Sequence, residues 1–258
     1  MTGPVAVVMV GGRGERLRPL TDNVPKPLLS IAGETIVERI LRRLAEAGIT
    51  DVWLTVNYLA HAFEDVIGDG SALGLHVRYL NEQTPLGTAG ALALLPRAQV
   101  TGPVVVTNGD LITSMDFAAL LAHHAESGAA LTVCGVEYDT QVPYGVLRTA
   151  DERLLGIDEK PTRTDLVSAG MYVVGRELLD LVPAGASFGM PDLMEAALAA
   201  GLPVGVHRVT EDWYDIGSHD EFHRVSRLLE SDGTADRTTT TSTTGTSSSD
   251  QRAEERQP

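Results

Sequence analysis

Through the first half of the chain, short β-branched runs alternate with stretches of helical periodicity. "VAVVMV" (5–10), "DVWLTVN" (51–57), "LHVRYLN" (75–81), "VVVTNGD" (104–110) and "ALTVCGVEY" (130–138) carry little polar alternation, the pattern of strands covered on both faces. Between the first two, "ETIVERILRRLAEAG" puts Ile36, Val37, Ile40, Leu41 and Leu44 on one face and runs into Gly48. That spacing predicts an amphipathic helix with a glycine stop. "HAFEDVIGDG", "GTAGALALLP" and "DFAALLAHHAESG" predict further helices. The rhythm is that of an α/β fold, a mainly parallel sheet with helices on both faces.

After Tyr144 the pattern changes. "YGVLRTADERLLGIDEKP" reads as a hairpin around "ADER", followed by a strand at "SAGMYVVG", helices near 176–182 and 190–200, a strand at "VGVHRV" and a last helix from Ser218. A mixed sheet extended at one edge accommodates these, the second half closing over ligands at the strand ends. From Asp232 onward "DGTADRTTTTSTTGTSSSDQRAEERQP" has no large apolar residue, so we expect one folded domain over 1–231 and a disordered tail over 232–258. No internal repeat is evident.

Composition narrows the function. With 43% hydrophobic and 21% charged residues in 258, the chain is an ordinary globule, and a formal charge of −15 argues against a nucleic-acid surface. Cys134, the single cysteine, excludes an intramolecular disulfide and reads as a buried thiol, which suggests a cytoplasmic protein. The N-terminus lacks a basic leader, and no apolar stretch reaches membrane-spanning length.

Local charge runs against the global balance. Between positions 11 and 27 stand Arg13, Arg16, Arg18 and Lys26 against Glu15 and Asp22, a positive window suited to a small polyanion. Of 20 basic residues all but Lys26 and Lys160 are arginine, and both lysines precede proline. Independent placement would produce that coincidence about once in 400, so these positions look selected for a compact ammonium. A glycine loop after a first strand suggests phosphate binding. Yet no lysine follows a glycine as a Walker loop requires, and the dinucleotide pattern begun by Gly12 and Gly14 meets Leu17 where its third glycine belongs. A D-x-D metal motif is also missing.

What stands instead is "GGRGERLRPLT" followed by "PKPLL", "EQTPLGTAGAL", "TNGDL", "VPYGVL", "DEKP", "SAGMYV" and "WYDIGS", in that order over about 1–230. This set resembles the sugar-1-phosphate nucleotidyltransferases, and "PLGTAG" and "WYDIG" are most similar to the mannose-1-phosphate guanylyltransferase branch, here in a short form without a β-helix. The resemblance implies a Rossmann-like three-layer sandwich and transfer of a nucleoside monophosphate from a nucleoside triphosphate, GTP favoured, to a sugar 1-phosphate with Mg²⁺. It implies that Gly11, Gly12 and Gly14 wrap the triphosphate, that Arg16 holds the leaving pyrophosphate and that Lys26 lies near the α-phosphate. Asp110 and Asp215 would ligate the metal, hard oxygen donors for a hard ion. Gln83 and Gly87 would face the base, and Glu15, where relatives commonly have threonine, would point away or meet the base edge or ribose. Lys160 would take the sugar phosphate and Glu159 a hydroxyl, with Gly145 and Gly170 allowing close approach. Ser168, in place of a common asparagine, leaves the sugar open.

Other readings stand beside this one. The same chemistry with UTP, ATP, dTTP or CTP, or with a cyclitol phosphate, fits the motifs, as does a silent sugar-nucleotide sensor or regulatory subunit, and a homo-oligomer is compatible with the sequence. A nicotinamide-dependent dehydrogenase ranks behind them for want of the third glycine. His219 and His223 share i, i+4 spacing but lack a third ligand, so they read as helix surface, as do His123 and His124.

Overall fold

The computed structural model describes residues 3–57 and 59–239. In chain order its elements are β1 (Val5–Met9), β2 (Ser30–Ile31), β3 (Glu34–Thr35), α1 (Ile36–Glu46), β4 (Asp51–Val56), α2 (Ala60–Ile67), β5 (His76–Asn81), α3 (Gly87–Gly90), β6 (Val104–Asn108) and β7 (Leu111–Thr113). There follow α4 (Phe117–Ser127), β8 (Leu131–Gln141), β9 (Val146–Ala150), β10 (Arg153–Asp158), β11 (Thr162–Val174), α5 (Met190–Ala199), β12 (Val204–Arg208), β13 (Trp213–Asp215) and α6 (His219–Thr239).

Seven strands form one sheet in the order β12-β8-β11-β6-β1-β4-β5. All neighbouring pairs are parallel except those of β11, which runs antiparallel to both β6 and β8. The absence of polar alternation follows from cover on both faces. Ala6 and Val8 of β1 join a core with Leu41 and Leu44 of α1, Phe63 of α2 and Phe117 of α4. Val5 and Val7 point the other way, into a core with Leu92 and with Met190 and Leu193 of α5. This is the Rossmann-like three-layer sandwich with a mainly parallel mixed sheet that the motifs implied.

Helix α1 buries the five residues its periodicity selected, and a capping box starts it: Glu38 N–H donates to Thr35 Oγ1 at 3.3 Å while Thr35 N–H donates to the Glu38 carboxylate at 2.9 Å. "GTAGALALLP" is less helical than expected, one turn of α3 and then a 3-10 turn over Ala91–Leu94. The segment is tied to distant backbone: Ala89 and Gly90 N–H both donate to Phe188 O, at 2.9 and 2.8 Å, and a Cβ at Gly87 would lie 2.8 Å from the same oxygen. The helix expected near 176–182 is likewise a 3-10 segment, Arg176–Leu181. Helix α6 continues to Thr239, past the composition boundary at 231; positions 240–258 of the Thr/Ser stretch lie outside the described residues.

From β1 the chain crosses to β4 and β5 on one side, then returns to β6 on the other. The carboxyl ends of β1 and β6 therefore flank a topological switch point, where open α/β sheets bind ligands.

Candidate active site

A cleft of about 590 Å³ opens at that switch point. Residues 10–17 line one side as the chain leaves β1, Asn108 ends β6 and Asp110 follows it, and Thr55, Asn57, Glu82, Pro85, Gly87 and Thr88 lie across from them. Loop geometry depends on Gly14, whose φ of +61° an L side chain rarely adopts. Its carbonyl accepts a 2.8 Å hydrogen bond from Thr21 Oγ1, and Thr21 is only 2% exposed. Leu17, 1% exposed, anchors the loop in a third core with Ile31, Ile36, Ile112 and Ile216. The same small core thus holds the glycine loop and the segment carrying Asp215.

Lys26 converges with both carboxylates. Its Nζ donates to Asp110 Oδ2 at 2.7 Å and lies 3.5 Å from Asp215 Oδ1. The lysine side chain is 9% exposed, against 32% and 49% for the two aspartates, so the ammonium is enclosed while the carboxylates keep faces toward solvent. Asp215 reaches this point on the β7–β13 ribbon, where it pairs with Leu111, the residue after Asp110. Close approach of β6 to β1 needs Gly109, at which a Cβ would fall 2.4 Å from Val10 Cγ1. Arg16 is exposed at the mouth, and a Cβ at Gly217 would lie 3.8 Å from its Nη1. The site therefore presents an exposed guanidinium, a buried ammonium and two carboxylates beside the glycine loop.

Gly11, Gly12, Gly14, Glu15, Arg16, Lys26, Gly87 and Asp110 line one cleft, and Asp215 joins them through Lys26. Gln83 does not line it. The β4–β5 ladder continues through Glu82, whose N–H donates to Val56 O at 2.9 Å, and this turns the side chain of 82 rather than 83 inward. Glu82 Oε2 accepts from Leu86 N–H at 2.9 Å, and Asn57 Nδ2 donates to the Glu82 carbonyl at 2.7 Å. Only if the strand is carried two residues past Leu80, beyond the apolar run, does period-two alternation place Glu82 rather than Gln83 on this face.

Gly145, Glu159, Lys160, Ser168 and Gly170 do not line the cleft. The first three flank the β9–β10 hairpin, Gly145 just before β9 and Glu159 and Lys160 just after β10. Gly145 does meet Glu159, whose Oε2 would lie 3.0 Å from a Cβ there, and Lys160 takes a φ of +44°. Ser168 shares a 2.8 Å hydrogen bond with Tyr172 OH across an irregularity of β11. Gly170, at φ +71°, lies in that irregularity, where a Cβ would strike Asn108 Nδ2 at 2.5 Å. Arg18 is spent on an exposed 3.5 Å pair with Asp22. His219, expected as helix surface, ties α6 to the loop through Nε2 and the Arg18 carbonyl, 2.8 Å apart.

Asp110 and Asp215 offer two oxygen donors to a divalent ion. Among the described residues no group of three or more His, Cys, Asp or Glu side chains converges. No helix among them is long and apolar enough to cross a membrane.

The mannose-1-phosphate guanylyltransferase of Mycobacterium tuberculosis is 37% identical over 229 residues, 87% of this chain and 64% of that protein. The UTP–glucose-1-phosphate uridylyltransferase of Synechocystis is 27% identical, covering 86% of this chain and 62% of that one. The chain thus spans less than two thirds of those relatives' lengths. Among solved structures, HddC from Yersinia pseudotuberculosis complexed with GMP-PN superposes with a TM-score of 0.68 at 22% identity, over 87% of this chain and 98% of that one, a likeness of fold. The family model for nucleotidyl transferases matches residues 5–232, and the chain belongs to that family.

Proposed function

We propose that the protein transfers a nucleoside monophosphate from a nucleoside triphosphate to a sugar 1-phosphate, releasing pyrophosphate. The observation that carries this reading is the convergence of Lys26, Asp110 and Asp215 at the foot of the glycine loop. An oxygen of the sugar phosphate attacks the α-phosphorus in line; a P–O bond forms, the bond from the α-phosphorus to the bridging oxygen breaks, and pyrophosphate leaves with that electron pair. The attacking oxygen is already anionic, so no general base is needed. Positioning and charge neutralisation carry the reaction.

The residues supply those terms. Backbone N–H groups of Gly11–Gly14 cradle the triphosphate, Arg16 balances the charge developing on pyrophosphate, and Lys26 directs its ammonium to the α-phosphate while bracing both aspartates. Asp110 and Asp215 fit Mg²⁺, which takes few protein carboxylates and completes its shell with phosphate oxygens and water. When bound, it would neutralise phosphate charge at the reacting centre. On the sugar side, Glu159 and Lys160 hold hydroxyl and phosphate, with Gly145, Ser168 and Gly170 around the ring.

GTP is the favoured donor. Guanine presents adjacent N1–H and N2–H donors, and a carboxylate accepts both. Glu82 lines the cleft with Oε2 fixed by Leu86 N–H, its side chain held for such a contact. The guanylyltransferase names of several relatives point the same way.

The test is a pyrophosphate-release screen of five nucleoside triphosphates against a panel of sugar 1-phosphates with Mg²⁺. We expect turnover with GTP and a hexose 1-phosphate. Binding of nucleotide without turnover of any pair would replace the enzyme with a sugar-nucleotide sensor.

A further inference from the structure

Nothing holds Arg16 at its own tip. Among the described residues its exposed guanidinium has no hydrogen bond or ion pair, and it rests over Gly217, where a Cβ would lie 3.8 Å from Nη1 and 3.9 Å from Nη2. Where this cation reaches is therefore set by the backbone of the loop that carries it. From inside, Thr21 Oγ1 closes the turn on the Gly14 carbonyl at 2.8 Å, and Leu17 sinks into one small core with Ile216. From outside, His219 Nε2 lies 2.8 Å from the Arg18 carbonyl, 201 positions away. A carbonyl oxygen only accepts, so Nε2 carries the proton and donates.

Helix α6 does not need this contact. Its start is capped by Ser218, whose carbonyl accepts from Phe222 N–H at 3.0 Å and whose Oγ accepts from Glu221 N–H at 3.2 Å. The imidazole makes no other hydrogen bond among the described residues, and His219 does not line the cleft. We infer that His219 is a positioning residue. By fixing the Arg18 carbonyl it holds the guanidinium two residues earlier against the segment that carries Asp215, so that Arg16 meets the β- and γ-phosphates of the triphosphate. This inference rests on the transferase reading for its ligand. Because His219 acts through Arg16, its influence is confined to ligands that carry those phosphates.

Titration calorimetry of the full chain with GTP, pyrophosphate and GMP, each with Mg²⁺, tests it beside steady-state kinetics. His219→Leu removes the donor and keeps the bulk. We expect GTP and pyrophosphate to bind roughly 5- to 10-fold more weakly, the weight of one hydrogen bond. GMP affinity, KM for the sugar 1-phosphate and the melting temperature should be unchanged. His219→Gln, whose amide nitrogen reaches as far as Nε2, should recover wild-type affinity, and His219→Leu should add no loss in an Arg16→Met background. Unchanged triphosphate affinity in His219→Leu overturns the inference, as does an additive loss beside Arg16→Met or no recovery in His219→Gln. Equal weakening of GMP makes the role of His219 structural and overturns it too. A wild type that binds GTP but turns over no sugar 1-phosphate removes the transferase reading and leaves these affinity ratios to decide; one that binds neither GTP nor pyrophosphate overturns both.

Discussion

Lys26 and Asp110, 84 positions apart, meet in a 2.7 Å ion pair at the foot of the cleft, and Asp215 approaches the same ammonium to 3.5 Å. One cation thereby holds together the two carboxylates proposed to bind the metal. Replacing it with methionine, which keeps the stem but not the charge, should lower kcat about 100-fold or more by removing transition-state stabilisation. Because the carboxylates keep faces toward solvent, losing their shared cation should cost the fold only about 1 kcal/mol. Pyrophosphate release and thermal melting measure the two effects, and undiminished turnover would remove Lys26 from the mechanism.

Gly12 and Gly14 separate binding from folding. A Cβ at Gly14 sits at φ +61° and 3.0 Å from Lys26 Cβ, whereas one at Gly12 meets nothing within 4 Å. Gly14→Ala should therefore destabilise by about 1–2 kcal/mol and disturb Lys26. Gly12→Ala should leave the melting temperature unchanged and raise KM for the triphosphate. Equal melting temperatures for the two variants would contradict the loop geometry.

Base choice turns on Glu82. Glu82→Gln replaces one carboxylate acceptor with an amide donor, so kcat/KM for GTP should fall roughly 10- to 100-fold. Competition among triphosphates, measured before and after the substitution, reads this directly. An unchanged preference for GTP would assign base recognition to the backbone instead.

Cys134 is fully buried, and burial pushes its thiol up to about 12. The folded protein at pH 8 should resist alkylation, with one equivalent modified on unfolding. Rapid labelling under native conditions would show that β8 opens locally.

Acid should weaken the fold through histidines on α4 and β12. Burial lowers the pKa of His124 and of His207 from the usual 6.5, with Glu177 opposing the shift at the first and Glu211 at the second. Their neutral forms bond or pack, His124 Nδ1 lying 2.8 Å from Thr132 Oγ1 and His207 stacking edge-on against His123. A depressed folded pKa means the unfolded chain binds the proton first. The contribution is thus complete above 6.5 and lost as pH falls through the folded values. The drop in melting temperature from pH 7.5 to 5 should shrink in His124→Gln/His207→Gln, and an equal drop would place the acid sensitivity elsewhere.

Much of this was legible in the chain. Uninterrupted β-branched runs marked the central strands because cover on both faces removes polar alternation, and the stripe of α1 named its buried residues. Two lysines in an arginine-rich chain marked Lys26. Other features escaped local reading. At α3 the backbone of a distant segment, Ala186 and Phe188, packs against Gly87 and Gly90 and takes hydrogen bonds from Ala89 and Gly90. Glu82 rather than Gln83 enters the cleft because the β4–β5 ladder runs one residue further than the apolar pattern suggests.

By itself the sequence determined the kinds of elements, the glycine loop proposed to bind phosphate and the scarce lysines proposed for its chemistry, because periodicity, glycine and charge act over short distances. Only the tertiary structure decided that Lys26 stands between Asp110 and Asp215, that one small core holds both the glycine loop and the Asp215 ribbon, and that His219 meets the Arg18 carbonyl. Those relations join segments separated by scores of residues, and they exist only once the sheet has brought their ends together.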